Sequence, residues 1–419
     1  MATTSLTPAP TPTISAEPTG TPIPLPGAAT EVLIAGYVAT LQNEPENQEA
    51  LLLLGLAYYQ HARETADATD YARAEQAFDR LLELVPDSAE AIIGKATIAL
   101  ARHDFTGALA LGQQALALTQ VSRVYGVIAD AQVELGLYDD AVASVQQMVN
   151  TRPDLSSYSR VSYLRELYGQ LDGAIDAMEQ AVQAGGPATE NTEYVRVLLG
   201  NLWFLKGDLE KAEASYAGSL ARSPGYVFAL AGLGRVKAAR GDLDGAIALF
   251  QEAADRVPFA EFLILLGETQ QAAGKTAEAE ATYAYVRDIQ GLFKANGVDT
   301  DVDLALFDAE HGTDPAAAVT LARPAYERAP NFRGADALAW ALYKDGQLDE
   351  ARQRAEEALQ LGTLDPLYLY HAGMIAVAQG DVDKAREWLT AALSMNPDFS
   401  PLHAPRAQAA LDALGDSTP

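Results

Sequence analysis

The residues from Gly200 to Pro258, GNLWFLKGDLEKAEASYAGSLARSPGYVFALAGLGRVKAARGDLDGAIALFQEAADRVP, contain two copies of one pattern. In each copy a glycine is followed by an alanine twelve residues later and by a proline after twelve more. The copies are Gly200, Ala212 and Pro224, then Gly234, Ala246 and Pro258. A repeat of this length predicts an array of similar structural units rather than a set of ordinary domains.

The same pattern recurs along most of the chain. One further full copy is Gly373, Ala385 and Pro397. Copies with one or two members changed are Ala96, Ala108, Gln120; Ala129, Ala141, Pro153; Ser162, Ala174, Gly186; Gly267, Ala279, Gly291; and Ala339, Ala351, Thr363. Gly-Asp-Leu or a relative falls inside several copies, at 207–209, 241–243, 346–348 and 380–382. Each unit is therefore predicted to be two amphipathic helices joined by a tight turn.

The residue types explain the spacing. A small residue in the first helix lets the neighbouring helix approach closely, and the alanine in the second helix does the same from the other side. The proline ends the second helix before the next unit begins. We therefore expect a larger residue at Gly234 or Ala246 to push the helices apart.

This pattern resembles the tetratricopeptide-repeat (TPR) family, whose unit is a helix-turn-helix of about 34 residues. The resemblance covers nearly all of residues 47–400, in about ten units, and implies an all-α solenoid that winds into a right-handed superhelix. The stretches ADALAWALYKDGQLDEA and LYHAGMIAVAQGD also look like a widespread bacterial group of long TPR proteins with no assigned activity. The eighth unit keeps little of the pattern, so an irregularity is expected near 286–330.

The two ends differ from the array. Residues 1–27 are rich in Thr, Pro, Ser, Ala and Gly and predict a disordered arm, because they offer too few large apolar side chains to offset the ordering entropy. Residues 28–46 predict an N-terminal capping helix, and residues 401–419 predict a C-terminal capping helix and tail. Arms of this composition often tether bacterial proteins, so a lipid anchor missing from the chain and a cytoplasmic location both stay open.

Composition argues against several classes of partner. The chain of 419 residues has 29 Lys and Arg against 57 Asp and Glu, a formal charge of −28. No basic run is long enough to follow a phosphate backbone, so nucleic acid is not an expected partner. No apolar stretch reaches the length of a membrane span. The 0 cysteines exclude disulfides and thiolate metal sites.

Catalytic and metal-binding patterns are absent from the sequence. The 5 histidines include no pair at metal-ligand spacing on one helix, and no phosphate-binding loop or nucleophile elbow occurs. Asp299, Asp301, Asp303 and Glu310 match ligand places of a calcium loop, but Leu304 stands where such loops need glycine. The preferred interpretation is a helix that begins with acidic residues. The sequence thus predicts a non-catalytic protein without cofactors.

The family resemblance implies that the first helix of each unit lines a concave groove. Carried over by position, the groove candidates are Tyr163, Tyr194, Asn201, Phe204, Phe228, Arg235, Trp340, Tyr343 and Tyr370, with Tyr59, Arg123 and Arg333 on the same face. Tyr, Trp and Arg are enriched in binding hot spots, although about half of these aromatics are expected to be core. The carboxylate clamp of chaperone-binding relatives is not expected, since only Asn201 fits it and Val197 stands in place of the lysine.

Two functions are compatible with these observations. The first is an interaction scaffold whose groove binds a peptide segment or helix of a basic or neutral protein. For this function Tyr194, Asn201 and Phe204 are predicted to form one patch with Phe228 and Arg235, next to Glu261 and Glu268 of the following unit. The alternative is a structural spacer of the bacterial cell envelope, held by its N-terminal arm.

Overall fold

The computed structural model describes residues 30–187 and 189–415. All regular structure in these residues is α-helical, in 22 helices without a strand, which confirms the all-α solenoid. The helices are α1 Thr30–Asn43, α2 Gln48–Thr65, α3 Thr69–Leu84, α4 Ala89–Ala101, α5 Phe105–Leu118, α6 Ser122–Glu134, α7 Tyr138–Thr151, α8 Leu155–Leu167, α9 Leu171–Ala184, α10 Glu190–Leu205, α11 Leu209–Arg222, α12 Val227–Ala239, α13 Leu243–Arg256, α14 Ala260–Ala272, α15 Thr276–Ala295, α16 Asp301–His311, α17 Pro315–Arg328, α18 Phe332–Lys344, α19 Leu348–Ala358, α20 Pro366–Gln379, α21 Val382–Met395 and α22 His403–Ala413. The predicted arm, residues 1–27, lies outside the described residues.

The Gly-Asp turns join the two helices of a unit. Gly207, Gly241 and Gly380 have φ of +80°, +80° and +76°, a left-handed conformation that glycine adopts without strain and that ends the first helix. The following aspartate caps the second helix, because its side chain accepts a hydrogen bond from the backbone N–H three residues on. These distances are 3.1 Å at Asp208, 3.0 Å at Asp242 and 3.1 Å at Asp381.

The small residues of the pattern make room for large side chains of the second helix. A Cβ atom at Gly234 would lie 2.6 Å from Phe250, and one at Gly200 would lie 2.5 Å from Tyr216. Both rings follow the pattern's alanine by four residues, and Ala246 is fully buried. The glycines are thus needed for close packing of helix against ring.

Two regions depart from the regular pair. Helix α15 has 20 residues and is followed by Gly297, whose φ is +80°; helix α16 has only 11 residues. Near the N-terminus, α2 extends over 18 residues and ends at Ala66 with φ of 59°. Helices α1 and α22 stand outside the ten pairs from α2 to α21.

The chain divides into two compact units. The described part of unit 1 contains residues 30–164, 183–191 without 188, and 292–299. Its core includes Leu51, Phe78 and Ile98. Residues 292–299 belong to it because the Asp299 N–H donates to the Arg102 carbonyl oxygen at 3.0 Å.

The described part of unit 2 contains residues 165–182, 192–291 and 300–415. Two buried side chains connect segments of it that are far apart in sequence. The Thr363 hydroxyl donates to the Leu167 carbonyl at 2.8 Å, and the Asn396 amide donates to the Phe204 carbonyl at 2.7 Å. These two hydrogen bonds therefore connect the residues just before α20 and just after α21 with the C-terminal ends of α8 and α10.

Candidate partner-binding surface

An aromatic patch is formed in unit 2 by Tyr194 on α10, Phe228 on α12 and Phe259 just before α14. The rings of Tyr194 and Phe228 are 5.4 Å apart in an edge-to-face arrangement, and those of Phe228 and Phe259 are 5.5 Å apart. All three residues are half-buried. Partly exposed aromatic rings that already contact each other offer a large apolar area with few free torsions.

Polar groups continue this surface toward the C-terminal ends of α10 and α12. The Asn201 side-chain oxygen accepts a hydrogen bond from the Tyr216 hydroxyl at 2.7 Å and a long one from Arg235 at 3.4 Å. The Arg235 guanidinium lies 4.2 Å from the centre of the Phe204 ring. Phe204 itself is buried, with 3% exposure, so Arg235 is the part of this pair that a partner can contact.

Two acidic groups lie on the first helices of other repeats, Glu261 on α14 and Glu166 on α8. Glu261 is exposed, yet desolvation raises the pKa of its carboxyl, against the opposing charges of Arg235 and Arg333. Burial, together with the negative charge of Asp365, raises the pKa of Glu166 to about 8. Among the described residues, no Lys, Arg or His lies within ion-pair distance of Glu166 or Glu261. Neither carboxyl therefore has a cation in direct contact.

A second group of residues, the Glu310 surface, consists of Glu310, Trp340, Tyr343, Lys344 and Tyr370. The Trp340 indole N–H donates to the Glu310 carboxylate at 3.0 Å, and Lys344 lies 3.1 Å from it. The Trp340 ring stacks on Tyr343 with centres 4.8 Å apart. The surface thus combines one carboxylate from α16 with a layer of aromatic rings from α18 and α20.

Two residues of α22 complete the surroundings of Glu310. Arg406 donates to its carboxylate at 2.6 Å, and His403 lies 3.6 Å away. Burial by itself raises the pKa of the Glu310 carboxyl. The contacts with His403, Lys344 and Arg406 together have a larger effect in the opposite direction and hold this pKa well below its usual range. The carboxylate stays ionised and is shared by cations from two helices.

The predicted groove residues fall into two sets and a remainder. In the first set Tyr194 contacts Phe228, and Arg235 contacts both Asn201 and Phe204; in the second set Trp340 contacts Tyr343 and Tyr370. Three members are buried, Phe204, Trp340 and Tyr370.

The remaining candidates have surroundings of other kinds. Tyr163 is half-buried on α8, Tyr59 is buried, Arg123 pairs with Glu90 at 3.8 Å, and Arg333 pairs with Asp303 at 3.1 Å.

Sequence reasoning missed the role of Glu310, Lys344, His403 and Arg406. A signal for Glu310 was present. In its repeat Leu306 stands at the position where other repeats have the small residue, and Glu310 comes four residues later. Phe204 follows Gly200 at the same distance, and Tyr343 follows Ala339. The contact with Arg406 has no such signal, because the two residues are 96 positions apart.

Three of the four acids of the calcium-loop pattern pair with different arginines. Asp301 pairs with Arg328 at 3.0 Å, Asp303 with Arg333 at 3.1 Å, and Glu310 with Arg406. Both Asp301 and Asp303 lie in the first turn of α16, where negative charge favours the helix. Within residues 30–187 and 189–415, no three side chains of metal-binding type converge, and no helix has the length and apolar character of a membrane span.

Fold and surface define a helical-repeat protein with partly exposed aromatic residues on its first helices. A family model described as tetratricopeptide repeat matches residues 59–122, 169–227, 232–291 and 337–398, more than half of the chain. The chain belongs to the tetratricopeptide-repeat family. Repeats of this family generally mediate protein–protein interaction, and such arrays are typically non-catalytic.

Solved structures give further similarities. A thermophilic TPR protein of Thermus thermophilus is 23% identical, with 49% of this chain and 98% of that chain covered and a TM-score of 0.38. A human IFIT1 dimer with PPP-AAAA is 16% identical, with 87% of this chain and 77% of that chain covered and a TM-score of 0.42. A comparison with curated proteins finds no match.

Proposed function

We propose that this protein is a non-catalytic interaction scaffold that binds a peptide segment or a helix of another protein along α10, α12 and α14. The observation that carries the proposal is the aromatic patch of Tyr194, Phe228 and Phe259, whose half-buried rings contact each other across three successive units. Arg235 and Asn201 extend it with polar groups. Large aromatic side chains next to an arginine are the residue types that carry most binding energy in protein interfaces.

The charges of the surface define the partner's chemistry. Glu261 and Glu166 both lie in unit 2, on different repeats, and neither has a cation in contact. The chain as a whole carries a formal charge of −28. A segment with an apolar side chain for the aromatic patch and a nearby lysine or arginine for Glu261 complements this arrangement. Opposite charge also speeds association at low ionic strength.

Quantitative capture tests the proposal. The full chain is immobilised, bound proteins are identified by mass spectrometry, and their amounts are compared between wild type, Phe228→Ala and Arg235→Ala. We expect both variants to lose the same partner, because truncating a hot-spot aromatic costs roughly 2 kcal/mol or more of binding. Tyr285→Ala is the matched control, since Tyr285 is an aromatic residue with 44% exposure on α15, outside the patch.

The alternative function gives a different result. If Phe228→Ala and Arg235→Ala keep their melting temperatures and capture every partner as wild type does, the patch is not a binding surface. A spacer role without a groove ligand then accounts better for the chain.

A further inference from the structure

The C-terminal helix α22 covers the Glu310 surface. Arg406 and His403 reach Glu310 at 2.6 and 3.6 Å, although Glu310 lies on α16. The Tyr370 ring, 2% exposed, is covered in part by His403, whose ring centre is 5.2 Å away. Helix α22 thus occupies a surface of the same composition that a partner would use, namely a carboxylate beside aromatic rings.

The apolar side chains that α22 presents to the core are mostly small. Its buried residues are His403, Ala404 and Ala407, and Ala410, Leu411 and Leu414 are only partly buried at the edge of the same core. By contrast, α18 buries ten residues, among them Phe332, Leu338 and Trp340. Alanine side chains remove little apolar area from water.

Polar contacts add to the attachment of α22. One is the hydrogen bond from Arg406 to the Glu310 carboxylate. The other joins Arg386 of α21 to the Gly415 carbonyl at 2.8 Å. Charge-assisted hydrogen bonds of this kind are strong but can be replaced by equivalent bonds from another molecule.

We propose that α22 is an exchangeable, autoinhibitory occupant of the Glu310 surface, and that this surface takes a helix of another protein that presents an arginine beside a larger apolar side chain. The inference deepens the proposed function, on which it rests, by naming the partner class and its regulation. An arginine of the partner replaces Arg406 on Glu310, and an apolar side chain larger than alanine gains more from the Tyr370 ring than the alanines of α22 do. Undocking of α22 makes the surface accessible.

A peptide of residues 399–415, FSPLHAPRAQAALDALG, labelled with a fluorophore, is the probe. Its binding to the full-length chain is measured by fluorescence anisotropy. Wild type is expected to bind it weakly, because its own α22 occupies the surface. Arg406→Ala in the chain is expected to strengthen binding by about tenfold, since apparent affinity rises with the fraction of open surface.

Two further chains make the test specific. Arg386→Ala weakens the other attachment of α22, leaves the Glu310 surface intact, and is expected to give the same increase. Glu310→Gln combined with Arg406→Ala is expected to remove the increase, because the peptide's arginine then has no carboxylate partner. Arg240→Ala, which breaks an exposed ion pair with Glu213, is the matched control and is expected to bind as wild type does.

Hydrogen exchange of α22 decides the interpretation of each result. If Arg406→Ala and Arg386→Ala speed exchange in α22 yet bind the peptide no better than wild type, the Glu310 surface is not a docking site. If neither variant speeds exchange, α22 is not held by these contacts and the inference is equally overturned. In either case loss of partner capture by Phe228→Ala would leave the proposed function standing.

Discussion

The guanidinium of Arg235 covers the ring of Phe204, 4.2 Å from its centre, at the junction of two successive units. Phe204 is 3% exposed and Arg235 is half-buried, so one residue belongs to the core and the other to the surface. Phe204→Ala is expected to destabilise unit 2 by about 3–5 kcal/mol, the usual cost of deleting a buried phenylalanine. Chemical denaturation followed by circular dichroism measures this loss.

Arg235→Ala provides the contrast. It leaves the buried ring in place, so we expect a loss of stability of about 1 kcal/mol or less but a clear loss of partner capture. Equal stability losses for the two variants would show that Arg235 acts as a packing residue and has no separate role in binding.

Gly234 is expected to tolerate no larger side chain. A Cβ atom there would lie 2.6 Å from Phe250, which is 1% exposed and cannot move without disturbing the core. We expect Gly234→Ala to cost about 1–3 kcal/mol. Gly291→Ala is the control, because a Cβ atom at this α15 position would meet nothing within 4 Å, and it is expected to stabilise by about 0.5–1 kcal/mol. A destabilised Gly291→Ala variant, or an unaffected Gly234→Ala variant, would refute this packing argument.

A buried ion pair in unit 1 gives a third prediction. The Arg160 guanidinium donates two hydrogen bonds to Asp130, at 2.8 and 2.5 Å, and both side chains are about 5% exposed. Asp130→Ala removes the carboxylate that pairs with a buried guanidinium and is expected to cost about 3–5 kcal/mol.

The corresponding double variant tests the coupling. Asp130→Leu with Arg160→Leu removes both charges and is expected to be less destabilised than Asp130→Ala alone. Additive losses measured in urea would show that the two residues do not act as a pair.

The repeat pattern predicted most of the fold for a physical reason. Glycine, alanine and proline at fixed places report on close approach and helix ends, and these are local requirements of each helix pair. The turns at 207–209, 241–243 and 380–382 and the crowding of Gly200 against Tyr216 follow from them. The stretch near 286–330, where an irregularity is expected, contains the end of the 20-residue α15 and the 11-residue α16.

Contacts across several units could not be predicted in the same way. The pattern fixes which face of a helix Phe204 occupies, but it does not say that Arg235 of the next unit covers its ring. Likewise, Glu310 meets Arg406 and Trp340 only because α16, α18 and α22 come together in unit 2. Such convergence depends on the small rotations between repeats, which the pattern within one repeat does not specify.

The last prediction concerns the pH dependence of stability. Burial and the neighbouring Asp365 raise the pKa of Glu166 from 4.5 to about 8, so between these values the folded state holds a proton that the unfolded state has released. Stability therefore falls as pH rises from about 4.5 to about 8, and the loss is complete above that range.

Glu166→Gln is neutral at every pH and removes this loss. The variant is therefore expected to be as stable as wild type at pH 4 and more stable at pH 8, by about 1–3 kcal/mol after allowance for solvent contact of a half-buried group. Melting curves from pH 4 to 9 measure the difference, with Glu280→Gln on the exposed face of α15 as the control. A pH-independent difference between Glu166→Gln and wild type would show that Glu166 ionises normally and that the surroundings of its carboxyl are well solvated.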